Sequence, residues 1–292
     1  MKQIKFPFEM AKKTTVIFII FFFFFFTSIQ QLQAQYFYKD IWTMQQLTNE
    51  FSILKNEKLK TVKIKSFEDD GEPSDGFVCE KKINGNYTQS EMISKSNITG
   101  QSLLTSEYNS DGRIVKTVDD TPTTNNTTNY TYDDKGRLAT VEIVSKGDDN
   151  AGYITETRQY YYDANGKPEK MERRKNNSLV ATINFVKDDK GNIIEENVGN
   201  AKSADKKYYY YYDDTNRLTD VVHYNDRASR LLPDYMYEYD NGNLPVQMIT
   251  ASETGDNYFI WRYSYNDKNL RDTERCFSKE KRLLGTIRYE YK

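Results

Sequence analysis

Tyr130-Thr-Tyr132-Asp-Asp-Lys-Gly136-Arg-Leu138 decides the fold, because it recurs along the chain. It recurs as Tyr160-Tyr-Tyr162-Asp-Ala-Asn-Gly166-Lys-Pro168, as Phe185-Val-Lys187-Asp-Asp-Lys-Gly191-Asn-Ile193 and as Tyr210-Tyr-Tyr212-Asp-Asp-Thr-Asn216-Arg-Leu218. Tyr237-Glu-Tyr239-Asp-Asn-Gly242-Asn-Leu244 and Tyr263-Ser-Tyr265-Asn-Asp-Lys-Asn269-Leu270 read as versions with one turn residue fewer. Tyr108-Asn-Ser-Asp-Gly112-Arg-Ile114 precedes them, Phe67-Glu-Asp-Asp-Gly71 is a degenerate earlier copy, and Tyr289-Glu-Tyr291 starts one more. From position 108, the second aromatic or its equivalent recurs after 24, 30, 25, 25, 27, 26 and 26 residues.

Each copy carries hairpin chemistry. Aromatics two apart share one face of a strand. Asp, Asn and Gly then supply the turn, with Gly or Asn where positive φ is needed. A return strand such as Leu138-Ala-Thr-Val-Glu-Ile-Val144 follows. About 25 residues hold two strands, a tight turn and a looser link, and no helical periodicity interrupts them. The expectation is an all-β fold: tandem antiparallel hairpins in one continuous, twisted, curved sheet. Rows of Tyr-x-Tyr pairs, worth about 0.5–1.5 kcal/mol per aromatic contact beyond area burial, account for most of the 24 tyrosines.

These motifs resemble the YD-repeat family, also called RHS repeats, over about residues 106–292. The resemblance implies tandem hairpins in a curving sheet and an exported or surface protein. In some members that is a shell around a toxin, in others a stalk that contacts carbohydrate or cells. Toxin-bearing members carry an Asp-Pro-containing core motif and then an effector domain. This chain has no Asp-Pro dipeptide, ends inside a repeat and has too few repeats to enclose a further domain, so the toxin function is not carried over.

Residues 35–105 are less regular. Met44, Leu47, Phe51 and Leu54 share a helical face behind Asp40, a residue type favoured as N-cap, which predicts a short helix over 41–54. Val62 and Ile64 alternate with lysines as in a strand. Phe77 to Ile83, Asn84-Gly85 and then Asn86-Tyr87-Thr88 predict a tight hairpin. This segment is expected to cap the sheet's open first edge. The polar run Asp119 to Thr128 reads as an extended surface loop.

Residues 1–34 read as a secretory signal peptide: four lysines against Glu9, an eleven-residue apolar run from Val16 to Phe26, then a polar stretch ending near Ala34. An eleven-residue helix rises only about 16 Å, short of a roughly 30 Å hydrocarbon core. The alternative is an uncleaved anchor. No membrane span is expected after signal removal, which leaves a mildly acidic body that would be secreted or periplasmic, with cell-surface association possible in either case. Without a basic excess, nucleic acid is a poor partner. Oligomeric state is unreadable.

Little catalytic chemistry is present. One His and two Cys exclude the common zinc sets. His223 reads as a satisfied strand residue. Asp69-Asp70-Gly71 and Asp188-Asp189-Lys-Gly191 lack the ligand series of a calcium loop. No cofactor and no metal are expected. Cys79 and Cys276 read as two buried thiols, since an open sheet would hold them apart; a disulfide would need the sheet to close. The reading is a secreted, non-enzymatic repeat protein that binds a polysaccharide or protein partner. The alternatives are a glycan hydrolase using paired turn carboxylates and a purely structural spacer. Residues between two inward tyrosines point outward, so Tyr161, Tyr209 and Tyr211 are the expected ligand-binding platform.

Overall fold

A computed structural model describes residues 37–147, 152–200, 203–225, 229–251 and 257–292. The expected signal peptide, residues 1–34, lies outside the described residues. One helix, α1 (Tyr38–Asn56), precedes eighteen strands. They are β1 (Thr61–Glu68), β2 (Val78–Ile83), β3 (Gln89–Ser96), β4 (Gly100–Tyr108), β5 (Ile114–Asp120) and β6 (Thr124–Tyr132). β7 (Leu138–Gly147), β8 (Tyr153–Tyr162), β9 (Pro168–Lys175), β10 (Ser178–Lys187), β11 (Ile193–Asn200) and β12 (Ser203–Tyr212) follow. The last are β13 (Leu218–Asn225), β14 (Arg230–Tyr239), β15 (Pro245–Ala251), β16 (Tyr258–Tyr265), β17 (Arg271–Phe277) and β18 (Leu283–Tyr291).

Every strand pairs antiparallel with its sequence neighbours, and β1 pairs with both β2 and β18. The expected sheet is therefore present and closes into a barrel. The sequence reading expected a capped first edge; instead the edge is consumed, with Val62 opposite Tyr291 and Glu68 opposite Gly285. Closure satisfies the ladder groups that an edge would leave open.

One turn geometry recurs. At Asn109, Asp133, Asp163, Asp188, Asp213, Asp240 and Asn266, the residue's N–H donates to the carbonyl four residues on, and its own carbonyl accepts from the N–H three residues on, all at 2.9–3.4 Å. The side-chain oxygen of the opening Asp or Asn closes the turn from inside, as where Asp133 Oδ1 accepts from Lys135 and Arg137 N–H at 3.0 and 2.8 Å. The fourth residue has positive φ: Gly112, Gly136, Gly166, Gly191, Asn216, Asn243 and Asn269. The two copies read as one residue short have turns of full length. Leu244 and Leu270 stand where Arg217 does, and Asn243 rather than Gly242 takes the left-handed position. Glu68 and Ser278 open the same turn at the opposite rim.

Each of these seven hairpins also slips register at its last strand residue. Tyr132 faces Leu138 while Thr131 faces Thr140, and Tyr212 faces Leu218 while Tyr211 faces Asp220. The extra residue is a β-bulge, which bends and twists the strand pair. Repeating the bulge from β4 to β17, and again between β17 and β18, curves the sheet in one sense. That is the physical route from hairpin repeat to ring.

Even-numbered strands end at the rim that carries the seven turns, and α1 lies across this mouth. Tyr38, at its start, packs edge-on to Phe185 of β10 and Tyr210 of β12. Trp42 packs on Tyr237 of β14. Phe51, near its end, stacks on Tyr108 of β4 with ring centroids 3.7 Å apart. β4 and β12 are nearly opposite on the ring. Eighteen strands spaced about 4.8 Å apart and tilted about 35–45°, as barrel closure requires, give a diameter of about 34–39 Å if round, and nineteen helical residues, rising about 28 Å, reach across most of it. The helix is longer at both ends than the expected 41–54. Phe37 is the N-cap residue, and Asp40 lies inside the first turn. Lys58, at φ 58°, ends it.

Two further expectations fail. Asn84-Gly85 is not a two-residue turn: residues 84–88 connect β2 and β3, Asn84 Oδ1 accepts from Thr88 N–H at 2.9 Å, and Tyr87 adopts φ 56° and meets Phe51 edge-on. The polar run 119–128 is not a surface loop. Its ends belong to β5 and β6, and Asp119, Asn126 and Thr128 are buried on the inner face. Cys79 and Cys276 are buried free thiols, as expected, and burial pushes both up to about 12. The sheet closes, yet β18 and β1 still stand between the strands that carry them.

Candidate functional site

The Tyr-x-Tyr pairs point inward, and the two tyrosines do different jobs. The first, at 160, 210, 237 and 263, is buried in the core. The second spans neighbouring hairpins. Tyr132, Tyr162, Tyr212, Tyr239, Tyr265 and Tyr291 each donate a hydroxyl hydrogen bond to the carbonyl of Ile114, Leu138, Ile193, Leu218, Pro245 and Arg271 respectively, at 2.7–2.8 Å. Those acceptors are the bulge-paired residues that open the previous return strand. Turn arginines lie over the next repeat's second tyrosine: Arg137 is 4.3 Å from the Tyr162 ring centroid and Arg217 4.9 Å from that of Tyr239. Where the second aromatic is replaced by Lys187, its ammonium pairs with Asp163 of the previous turn.

The turn carboxylates are thereby committed. Arg217 N–H donates to Asp213, and despite partial desolvation this bond, Thr215 and the Arg217 guanidinium together hold the carboxyl well below its usual range. Asp163 is held low first by Lys187, then by Lys167 N–H. His223 Nδ1 lies 2.9 Å from Asp234, across a β13–β14 bulge. No group of three or more metal-ligating side chains occurs among the described residues.

Alternation places Tyr161, Tyr209 and Tyr211 on the outer face, opposite the buried Tyr160 and Tyr210. They do not form one platform. Tyr161 is on β8, four strands from β12, and the Lys170 ammonium lies 4.4 Å from its ring centroid. Tyr209 is half-buried, while Tyr211 is 48% exposed. They are joined instead by Val186 of β10, 42% exposed, and Ile194 of β11, 37% exposed. Val186 points outward by alternation with the buried Phe185, and Ile194 joins that face because it is the bulge residue and breaks strict alternation. Val186, Ile194, Tyr209 and Tyr211 thus place apolar side chains on the outer face of three adjacent strands, β10–β12, interrupted by Glu195, which stands opposite both Val186 and Tyr209 and pairs with Lys207 at 3.0 Å. Elsewhere the strands mix ion pairs, such as Lys116–Glu107 at 3.4 Å and Lys170–Glu172 at 2.9 Å, with other exposed apolar residues, among them Ile93 of β3 and Tyr224 and Leu231, which face each other on β13 and β14.

A second cluster sits inside the turn rim. Glu196, fully buried on β11, accepts the N–H groups of Phe37 (2.9 and 3.0 Å) and Tyr38 (3.0 Å) and the hydroxyl of Tyr210 (2.8 Å). Desolvation raises it to about 7 even though all three donors pull it down. Beside it, Asp40 accepts from Tyr160 at 2.6 Å and from Arg158 at 2.9 Å, and Arg158 also bonds Glu156 at 2.8 Å. Lys39, 5.6 Å from the Tyr235 ring centroid, is lowered to about 8 by burial, opposed by Asp40. Nothing in the local sequence distinguishes Glu196 from Glu195; only its parity with the inward Val198 could have done so.

No family model matches the chain, and no curated protein matches it. Among solved structures, a porin-like protein from Bacteroides uniformis is 12% identical, with 80% of this chain and 98% of that chain covered, at a TM-score of 0.37. The TcdB2-TccC3 structure without its hypervariable C-terminal region is 10% identical at a TM-score of 0.35, and the Photorhabdus luminescens Tc holotoxin pore is 10% identical at 0.33. Both cover 74% of this chain, which spans only about 12% of theirs. At TM-scores below 0.4, these likenesses add nothing to what the residues themselves argue.

Proposed function

We propose that this chain is an exported, non-enzymatic, YD-repeat-like barrel that binds a polysaccharide or protein partner through the outer face of β10–β12. The observation that carries the reading is the group of Val186, Ile194, Tyr209 and Tyr211 on the outer face of three adjacent strands, with the Tyr211 ring 48% exposed. Aromatic rings at a surface supply contact area at low entropy cost and are enriched in recognition patches. Mid-strand ion pairs on the outer wall favour water over lipid, since charges facing hydrocarbon cost about 2–4 kcal/mol near its midplane. The turn carboxylates favour a scaffold over a hydrolase: a general acid needs a raised carboxyl, and those of Asp163 and Asp213 are pushed down. Export rests on the basic start and short apolar run of residues 1–34.

The test compares the protein with Tyr209→Ser/Tyr211→Ser on an array of neutral and acidic polysaccharides and in capture of cross-linked surface proteins from its host. Binding lost in the double variant, with an unchanged thermal midpoint, supports the reading. Equal binding by both proteins, or binding by neither, overturns it.

A further inference from the structure

The two rims of the barrel carry different surfaces. The turn rim is crossed by α1. The opposite rim, where odd-numbered strands end, is divided by charge. On one side the connection from β1 to β2 exposes Asp69, Asp70, Glu72 and Asp75. Its shape is fixed from within: Glu68 N–H donates to the Glu72 carbonyl at 2.8 Å, Ser74 N–H to the Ser66 carbonyl at 2.9 Å, and the Asn97 amide to Asp75 Oδ2 at 3.0 Å. A preformed lobe of this kind loses little freedom on contact with a partner. The β17–β18 turn, with Lys279, Lys281 and Arg282 against Glu280, confines the acidic side to that lobe.

Across the ring the rim is basic. The rim ends of β7, β9 and β14 expose Lys146, Lys175 and Arg230. The connections of this arc that lie outside the described residues hold Asp148, Asp149 and Asp226 against Lys202 and Arg227, which leaves the arc with a basic excess. The β9–β10 hairpin is eight strands from the β1–β2 connection in a ring of eighteen. Exposed apolar side chains accompany both charges. Val78, opposite Lys95, and Ile98 flank the acidic lobe, while Tyr153, Leu179 and Leu231 stand beside Lys146, Lys175 and Arg230.

We propose that this rim is the contact surface for a second copy of the chain, with the acidic β1–β2 lobe of each copy lying on the basic β7–β14 arc of the other. A two-fold axis in the plane of the rim makes that contact twice, as a closed homodimer requires. A uniformly anionic surface would repel the lobe and a basic partner would repel the arc; a second copy matches both. A rim about 110 Å round and about 10 Å thick offers about 1,100 Å² per copy, so three quarters of it in contact reaches the roughly 800 Å² per partner of a stable interface. Complementary charge selects the pairing, and the apolar side chains supply the burial. The joint lies at the other end of the barrel from Tyr209 and Tyr211, so it does not depend on the binding reading of that face.

Sedimentation equilibrium of the exported protein tests this. It should show twice the monomer mass at about 100 µM in low salt, above the micromolar dissociation constants that interfaces of this size reach at their weakest. The mass should fall toward the monomer near 1 M salt, where screening shortens to about 3 Å. Asp69→Lys/Asp70→Lys/Glu72→Lys makes both surfaces basic, and Lys146→Glu/Lys175→Glu/Arg230→Glu makes both acidic. Each triple variant should self-associate at least about tenfold more weakly at an unchanged thermal midpoint. Mixed together, the two should form a heterodimer, and the chain with all six substitutions should regain the homodimer. A native chain that stays monomeric, a dimer indifferent to both reversals, or two variants that do not pair on mixing overturns the proposal. A dimer lost instead in Tyr209→Ser/Tyr211→Ser also overturns it, by moving the joint to the outer wall.

Discussion

The arc β3–β7 and the arc β12–β14 use one ladder and one turn but line the barrel differently. In β3 and β4 the buried inward residues include Ser90, Ser94, Ser96, Ser102 and Ser106. In β12 and β14 they include Tyr208, Tyr210, Leu232 and Tyr237, with Tyr212, Tyr235 and Tyr239 packed against the core. The serines satisfy one another, as where Ser94 and Ser102 meet at 2.8 Å, or a tyrosine, as where Ser90 meets the Tyr108 hydroxyl at 2.9 Å. The difference teaches that turn, bulge and ladder specify the ring, while the inward lining is free to vary. The helix docks on both arcs, through Phe51 on Tyr108 of β4 and through Tyr38 and Trp42 on Tyr210 and Tyr237, so the arcs differ in how much apolar surface they bury.

Large-to-small substitution should separate the arcs most sharply. Tyr210→Ala or Tyr237→Ala is expected to cost about 3–5 kcal/mol in denaturant unfolding, as truncation of a large core aromatic does. Ser94→Ala, which removes one hydroxyl pair, is expected to cost about 1 kcal/mol or less. Equal losses in both arcs would break the comparison.

The turn should behave alike in both arcs. Gly136 has φ 74°, and an added Cβ would stand 2.6 Å from the Arg113 guanidinium that lies over it. Gly136→Ala is therefore expected to cost about 1–2 kcal/mol, and Asn216→Gly, at φ 71°, to be neutral within about 0.5 kcal/mol. An effect between those two is expected for Arg217→Met. It removes a half-exposed stack on Tyr239 and an ion pair to Asp213, together about 1 kcal/mol. Thermal midpoints measured side by side check this order.

Acid should move the two kinds of carboxylate in opposite directions. Asp163 and Asp213 are lowered in the folded chain, so what they contribute is present above the unfolded value of about 3.9 and is lost as pH falls through and below it. Glu196 is raised, so its contribution grows as pH falls from 7 toward 4.3. A stability profile that rises from pH 8 to 5 and falls below 4 is the expected outcome; a monotonic decline from pH 8 downward would contradict the burial of Glu196.

The repeat, its turns and the inward direction of the tyrosines were legible because Asp, Gly and Tyr-x-Tyr each impose a local geometry. Closure was not, because it depends on bulges at Ala139, Ile194 and their equivalents, which carry no residue signature. The run Asp119 to Thr128 misled because a polar inner face looks, in sequence, like a loop. The turn at Ser278 was missed because Ser replaces Asp and Lys281, at φ 62°, replaces Gly. Of the expected site, Tyr209 and Tyr211 share one surface strip and Tyr161 does not, a distinction set by strand order. Glu196 was invisible because its partners lie on the helix, 158 and 159 residues away.

The seam between the first and last strands tests the closed ring most directly. Lys63 of β1 stands opposite Glu290 of β18, and facing residues of antiparallel strands have Cα atoms about 4.5–5.5 Å apart, within disulfide reach. In Lys63→Cys/Glu290→Cys, mild oxidation followed by peptide mass mapping should recover a near-stoichiometric 63–290 crosslink, with Cys79 and Cys276 still unpaired. Two freely alkylated thiols at 63 and 290 in the folded protein, with no crosslink, would contradict the closed barrel.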